Sequence, residues 1–139
     1  MVRKNRPLVG ILMGSKSDAD TMFETEKILK EYKIPYEINV LSAHRNPDKV
    51  RQYAKSAKKR GLKVLICGAG MSAALAGVVS SFTDLPVIGV PVYTTALKGI
   101  DSFLSTMQMP AGVPVAAMAI GKPGAKNAAI FAARILGRV

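Results

Sequence analysis

Strand and helix signals alternate five times along this 139-residue chain, which predicts an α/β protein on a doubly wound, parallel, five-stranded sheet. Three observations carry that expectation. Short apolar runs end in Gly or Pro, as buried strands do. Each run is followed by a segment with helical spacing, and parallel strands need such a crossover. No internal repeat, linker or low-complexity stretch interrupts the series. The length suits one domain, residues 1–139, around one core.

Leu8 to Met13 reads as the first strand, closed by Gly14. A helix follows from Asp18 to Tyr32, with Ala19, Met22, Leu29 and Tyr32 on one stripe, and Ile34-Pro35 ends it. Tyr36 to Leu41 alternates as a second strand. Asn46-Pro47 then starts a helix, with Asn at the N-cap and Pro at the first helical position. That helix runs to Arg60, turns Val50, Tyr53, Ala54 and Ala57 inward, and takes Gly61 as its C-cap. Lys63 to Cys67 is the third strand, Gly68-Ala69-Gly70 its loop, and Met71 to Phe82 a helix of small residues. Pro86 to Val90 is the fourth strand, followed by a helix from about Gly99 to Met107. Val113 to Ile120 is the fifth strand and Ala125 to Leu136 the last helix. A flavodoxin-like order, 2-1-3-4-5, in three αβα layers accommodates this series. It sets the loops after strands 1 and 3 on either side of the switch point, where ligands bind at the carboxyl ends of strands.

Composition narrows the function classes. The chain is 49% hydrophobic and 21% charged, as in soluble globular proteins. No apolar run is long enough for a membrane span, and the start Met-Val-Arg-Lys-Asn-Arg lacks the apolar core of a signal peptide. Cys67 is the only cysteine, expected inert in a buried strand, so there is neither a disulfide framework nor a thiol-rich metal site. A cytoplasmic location is the default. The net charge of +11 suits a phosphate-bearing substrate and basic helix faces. With few aromatics to stack bases and no nucleic-acid motif, a nucleic-acid role is not expected. Met71 to Val79 and Ala128 to Ala133 offer almost no polar face, which predicts a homo-oligomer.

Three loops carry the candidate chemistry. Gly14-Ser15-Lys16-Ser17-Asp18 opens a helix, and its amides with the Ser15 and Ser17 hydroxyls suit a phosphate. Asp18 can accept hydrogen bonds from ribose hydroxyls. It is neither a Walker loop nor a GxGxxG turn, and ordinary capping by Ser17, with Asp18 or Asp20 in the first turn, fits it equally. Ser42-Ala43-His44-Arg45 sits on a strand-to-helix turn and holds the only histidine. An imidazole can give and take a proton near neutral pH, and Arg45 beside it can grip a phosphate or carboxylate with two bonds. Gly68-Ala69-Gly70-Met71-Ser72 again opens a helix, with glycines that allow a ligand close approach.

Taken in order, Met13 to Asp18, Ser42 to Arg45, Gly68 to Gly70, Gly89 to Val92, Gly99 to Ser102, Gln108 to Pro110, Ala119 to Lys122 and Asn127 to Ala129 resemble one known family. This is the catalytic subunit of phosphoribosylaminoimidazole carboxylase, the N5-carboxyaminoimidazole ribonucleotide mutase of purine synthesis. The resemblance covers nearly the whole chain. It implies a flavodoxin-like subunit of a homo-octamer with no metal or organic cofactor, acting on a phosphorylated imidazole ribonucleotide. The implied reaction moves a carboxylate from the exocyclic nitrogen to ring carbon 4, by loss and recapture of carbon dioxide. His44 matches the proton shuttle, and Ser15, Asp18 and Arg45 match nucleotide-binding positions. With the three loops, the substrate-binding set becomes Ser15, Ser17, Asp18, Ser42, Arg45, Gly70, Met71, Ser72 and Leu75, and His44 is the catalytic residue.

Two departures from the family pattern bear on this. Bacterial mutases continue the third motif with a second histidine and a proline, where this chain has Ala74 and Ala76. Ser72 and Lys16 are the candidates to stand in. The same stretch leans toward the related class that carboxylates aminoimidazole ribonucleotide directly with carbon dioxide. Family members also usually carry another C-terminal helix beyond the point matching Val139, which bears on oligomer contacts. A non-catalytic nucleotide- or RNA-binding protein is the reading from another class, and the retained Ser42-Ala43-His44-Arg45 opposes it.

Overall fold

Period-two alternation in the strands builds two separate apolar layers around one sheet. The computed structural model describes residues 5–139; residues 1–4, part of the start read above as lacking a signal-peptide core, lie outside the described residues. The sheet contains β1 (Val9–Met13), β2 (Tyr36–Val40), β3 (Val64–Ala69), β4 (Val87–Pro91) and β5 (Ala116–Ala117). All neighbouring strands are parallel and the order is β2-β1-β3-β4-β5, the expected flavodoxin-like arrangement. Val9, Ile11 and Met13, with Val64, Ile66, Ile88 and Val90, face α1 (Ala19–Glu31) and α5 (Lys122–Ile135). The intervening Leu12, Leu65, Cys67 and Val87 face α2 (Pro47–Ala57) and α3 (Leu75–Ser81). α4 (Ile100–Met107) covers β4 and β5. Strands buried on both faces need continuous apolar runs, which is what the sequence offers in β1, β3 and β4.

Several boundaries differ from expectation for identifiable reasons. Ala19 is exposed; the buried stripe of α1 is Met22, Thr25 and Leu29, and the Thr25 hydroxyl donates to the Ala125 carbonyl at 2.8 Å. α3 begins at Leu75 rather than Met71, because Met71 has a left-handed backbone (φ 55°) and cannot continue a helix. β5 is two residues, not eight. Pro110 and Pro114 lack amide donors and Gly112 turns at φ 95°, so only Ala116 and Ala117 join the ladder. Beyond them, Met118 still donates to Gly89 and Gly121 to Pro91, which keeps the segment beside β4. α5 starts at Lys122, since Pro123 is tolerated in a first turn.

Most of the two apolar stretches is covered by the chain itself, although Met71 before α3 and Phe131 on α5 stay exposed. Ala125, Ala128, Ala129, Ala132 and Ala133 are buried in the α1 layer, and Leu75, Ala76 and Val79 in the α2 layer. Their composition therefore does not by itself call for a partner. Apolar side chains are also exposed along α4 and the loop before it, at Tyr93, Leu97, Ile100, Leu104 and Met107.

Candidate active site

Every loop that leaves a strand's carboxyl end between β2 and β4 reaches one cavity of 380 Å³. The first is Gly14 to Asp18. Gly14 donates its amide to the Gly68 carbonyl at 3.1 Å, fixing the start of this loop to the end of β3. Ser15, extended at φ −153°, caps a short 3-10 turn over Lys16–Asp18 that runs straight into α1. Its hydroxyl accepts the Ser17 amide at 3.3 Å and the Ser17 hydroxyl at 3.0 Å. The Ser15 amide in turn donates to Asp18 Oδ2 at 3.0 Å, closing a capping box. The cap is thus Ser15 and not Ser17. Asp18 is only 6% exposed, and burial holds its carboxyl above the usual 3.8, partly opposed by the Ser15 amide.

The second loop is the Ser42–Asn46 turn. The Leu41 amide donates to the Met13 carbonyl at 2.9 Å, so the turn springs from the end of β1 as well as β2. The Ser42 hydroxyl accepts the Arg45 amide at 3.1 Å, and the Asn46 amide donates to the Ser42 carbonyl at 2.8 Å. Asn46 stands at the cap position of α2, but its side chain makes no cap bond and instead accepts the Ser42 amide at 3.5 Å. His44 and Arg45 are exposed on this turn. Among the described residues, the ion pairs engage Lys27, Lys58, Arg60, Lys122 and Lys126 but not Arg45, which leaves its guanidinium available for an anion.

The third loop is Gly70 to Ala74. Its shape is set from α4: the Ala73 amide donates to the Ser105 hydroxyl at 2.9 Å, and that hydroxyl donates to the Asp101 carbonyl at 2.8 Å. A Cβ at Gly70 would stand 3.0 Å from the Thr94 methyl, closer than side chains ordinarily pack, so this loop passes tightly against the one after β4. Met71 is 67% exposed at the cavity rim.

All ten residues singled out from the sequence line this one cavity: Ser15, Ser17, Asp18, Ser42, His44, Arg45, Gly70, Met71, Ser72 and Leu75. Of the two candidates to replace the missing histidine, Ser72 and also Ala74 lie in the wall, whereas Lys16 does not. Gly14, Ala43 and Ala69 also line it, within the three loops but not among the residues singled out, and sequence reasoning missed Thr94, which a fourth loop brings in after β4. The signal was present, because Thr94 closely follows the Gly89-Val90-Pro91-Val92 motif at a strand's carboxyl end. Cys67 lies outside the lining, fully buried, with its thiol pushed up by burial. Among the described residues, no three His, Cys, Asp or Glu side chains gather as a metal site would require.

A buried carboxylate, hydroxyls at a helix start, an arginine and one imidazole around a crevice at the sheet's carboxyl edge define a flavodoxin-like α/β protein with a site suited to a phosphorylated small molecule. Residues 8–139 match the family AIR carboxylase, and the chain belongs to that family. It is 54% identical over 136 residues to the N5-carboxyaminoimidazole ribonucleotide mutase of Pyrococcus horikoshii, covering 98% of this chain and 76% of that one. The mutase of the same name from Pseudomonas aeruginosa is 57% identical over 130 residues, covering 94% and 80%. In structure the chain is similar to Treponema denticola PurE, with a TM-score of 0.84 and 35% identity over 95% of this chain and 81% of that one. No helix among the described residues is long and apolar enough to cross a membrane.

Proposed function

We propose that this chain is an N5-carboxyaminoimidazole ribonucleotide mutase of purine biosynthesis, working as one domain whose cavity at the carboxyl edge of the sheet is the active site. The relatives that bear this name match it over nearly its full length. The observation that carries the reading is His44, the only imidazole of the chain, lying in the same cavity as the Ser15–Asp18 capping box and Arg45. Arg45 and the Ser15 and Ser17 hydroxyls hold the phosphate, and Asp18 accepts from the ribose hydroxyls. Breaking the nitrogen–carboxylate bond requires a proton on the exocyclic nitrogen, which His44 supplies as its imidazolium. Carbon dioxide stays against the nucleotide and is attacked by ring carbon 4. The now neutral His44 removes the proton from that carbon, so each turnover returns the ring to its starting state. The small residues Gly70, Ala43, Ala69 and Ala74 shape a wall that keeps carbon dioxide close to its acceptor.

A second reading is direct carboxylation of aminoimidazole ribonucleotide, favoured by Ala74 in the wall and by the absence of any imidazole besides His44. Purified protein given N5-carboxyaminoimidazole ribonucleotide, or aminoimidazole ribonucleotide with bicarbonate, distinguishes the two by the absorbance of the 4-carboxy product. The mutase reading expects turnover of the first substrate. Turnover of the second alone would replace it with the carboxylase, and turnover of neither would leave a binding role.

A further inference from the structure

Thr94 Oγ1 is buried and has no hydrogen-bond partner among the described residues, although the residue lines the cavity. The buried Thr25 and Ser102 hydroxyls are satisfied internally: Thr25 donates to the Ala125 carbonyl at 2.8 Å and Ser102 to the Val92 carbonyl at 2.8 Å. A buried hydroxyl left unpaired costs about 1–3 kcal/mol, so a protein keeps one chiefly where something else completes it. The other buried orphan, Asp101 Oδ1 on α4, belongs to a residue outside the cavity lining. We propose that Thr94 is a further substrate-contacting residue, whose hydroxyl hydrogen-bonds the base end of the bound nucleotide. This rests on the nucleotide reading of the cavity given above.

Two observations point to that end of the ligand. β4 stands two strands from β1 in the sheet, which is roughly 10 Å at the usual spacing, so Thr94 is well removed from the Ser15–Asp18 turn that suits the phosphate and ribose. The Thr94 methyl abuts Gly70, 3.0 Å from where a Cβ there would lie, so the residue forms the wall shared with the third loop. Thr has three staggered χ1 wells, and a rotation of about 120° carries the hydroxyl to where the methyl now meets Gly70, while the methyl moves to the place of Hβ. The loop itself is fixed, because the Val92 amide donates to the Ala69 carbonyl at 2.9 Å and Ser102 holds the Val92 carbonyl.

The test compares Thr94→Val, which keeps the shape and removes the hydroxyl, with Thr94→Ser, which keeps the hydroxyl. Calorimetric titrations use aminoimidazole ribonucleotide and, as a ligand without the base, ribose 5-phosphate; melting temperature is read on the free proteins. Thr94→Val is expected to bind the nucleotide about tenfold more weakly, to bind ribose 5-phosphate as wild type does, and to melt no lower, since an unpaired buried group has gone. Thr94→Ser is expected to bind both like wild type. Thr94→Ala provides the same ligand contrast with a smaller side chain. Unchanged nucleotide binding in Thr94→Val, or equal weakening toward both ligands with a lowered melting temperature, would overturn the proposal. A wild-type protein that binds neither ligand would remove the nucleotide reading and this inference with it.

Discussion

The Asp18 carboxyl sits buried beneath the cavity with its Oδ2 accepting the Ser15 amide, and burial raises its pKa above 3.8. The folded chain therefore holds this proton more tightly than the unfolded chain. As pH rises from 3.8 through the raised value, the ionised group counts progressively against the fold. On the proposed function, the bound nucleotide is what offsets that cost. Asp18→Asn retains an oxygen for the Ser15 amide, so its melting temperature at pH 7 is expected to equal wild type or exceed it by up to about 3 °C. Titration with aminoimidazole ribonucleotide should show its affinity at least tenfold lower, as for a lost hydrogen bond to a charged group. A lower melting temperature with unchanged affinity would make Asp18 a structural cap. Arg45→Ala should raise KM with little effect on kcat, because the guanidinium binds the phosphate equally before and during reaction. At this scale the sequence was informative. The ten residues were legible because chemistry-bearing side chains cluster at strand ends. Thr94 was not singled out: the Gly89 to Val92 motif marks its loop, but that one hydroxyl there is buried without a partner shows only in the folded chain.

The third loop owes its shape to a neighbouring helix, and α5 to a backbone contact. Ser105→Ala frees the Ala73 amide that the hydroxyl now accepts. Loosening this wall is expected to lower kcat/KM several-fold while costing about 1 kcal/mol of stability by denaturant unfolding. An unchanged kcat/KM would show that the loop holds its form without α4. At Gly124 a Cβ would collide with the Ala119 carbonyl, which is backbone and cannot swing aside. Gly124→Ala is expected to destabilise by about 3 kcal/mol, and a loss below 1 kcal/mol in urea unfolding would mean that α5 sits more loosely than its packing indicates. Hydrophobic runs and their spacing made all five βα units and the strand order readable in advance. The start of α3 was not, since Met71-Ser72-Ala73-Ala74 has good helical composition and only the Met71 backbone and the Ser105 bond take it out of the helix. The shortness of β5 depends on Pro110, Gly112 and Pro114, whose turns outweigh the β-forming Val113 and Val115.

For the whole molecule, exposed apolar side chains line one face of α4, where Ile100 is 58%, Leu104 49% and Met107 39% exposed at helical spacing, with Tyr93 and Leu97 just before. A patch of that kind on one subunit favours self-association. We infer a homo-oligomer joined through this face, with the octamer suggested by the family as its expected size. Light scattering at micromolar concentration should give a multiple of 14.8 kDa, reduced by Leu104→Glu, and a monomer would contradict it. The same surface lies beside the third loop, so assembly and catalysis should weaken together in that variant. On the proposed function, one imidazole carries all the proton transfer in a cavity that otherwise binds. This is tested most directly by measuring turnover of N5-carboxyaminoimidazole ribonucleotide and binding of aminoimidazole ribonucleotide in His44→Asn alongside wild type. Turnover lost at least a thousandfold, on the order expected for a general acid–base, with binding within about threefold, is the predicted result. Turnover within tenfold of wild type would contradict it.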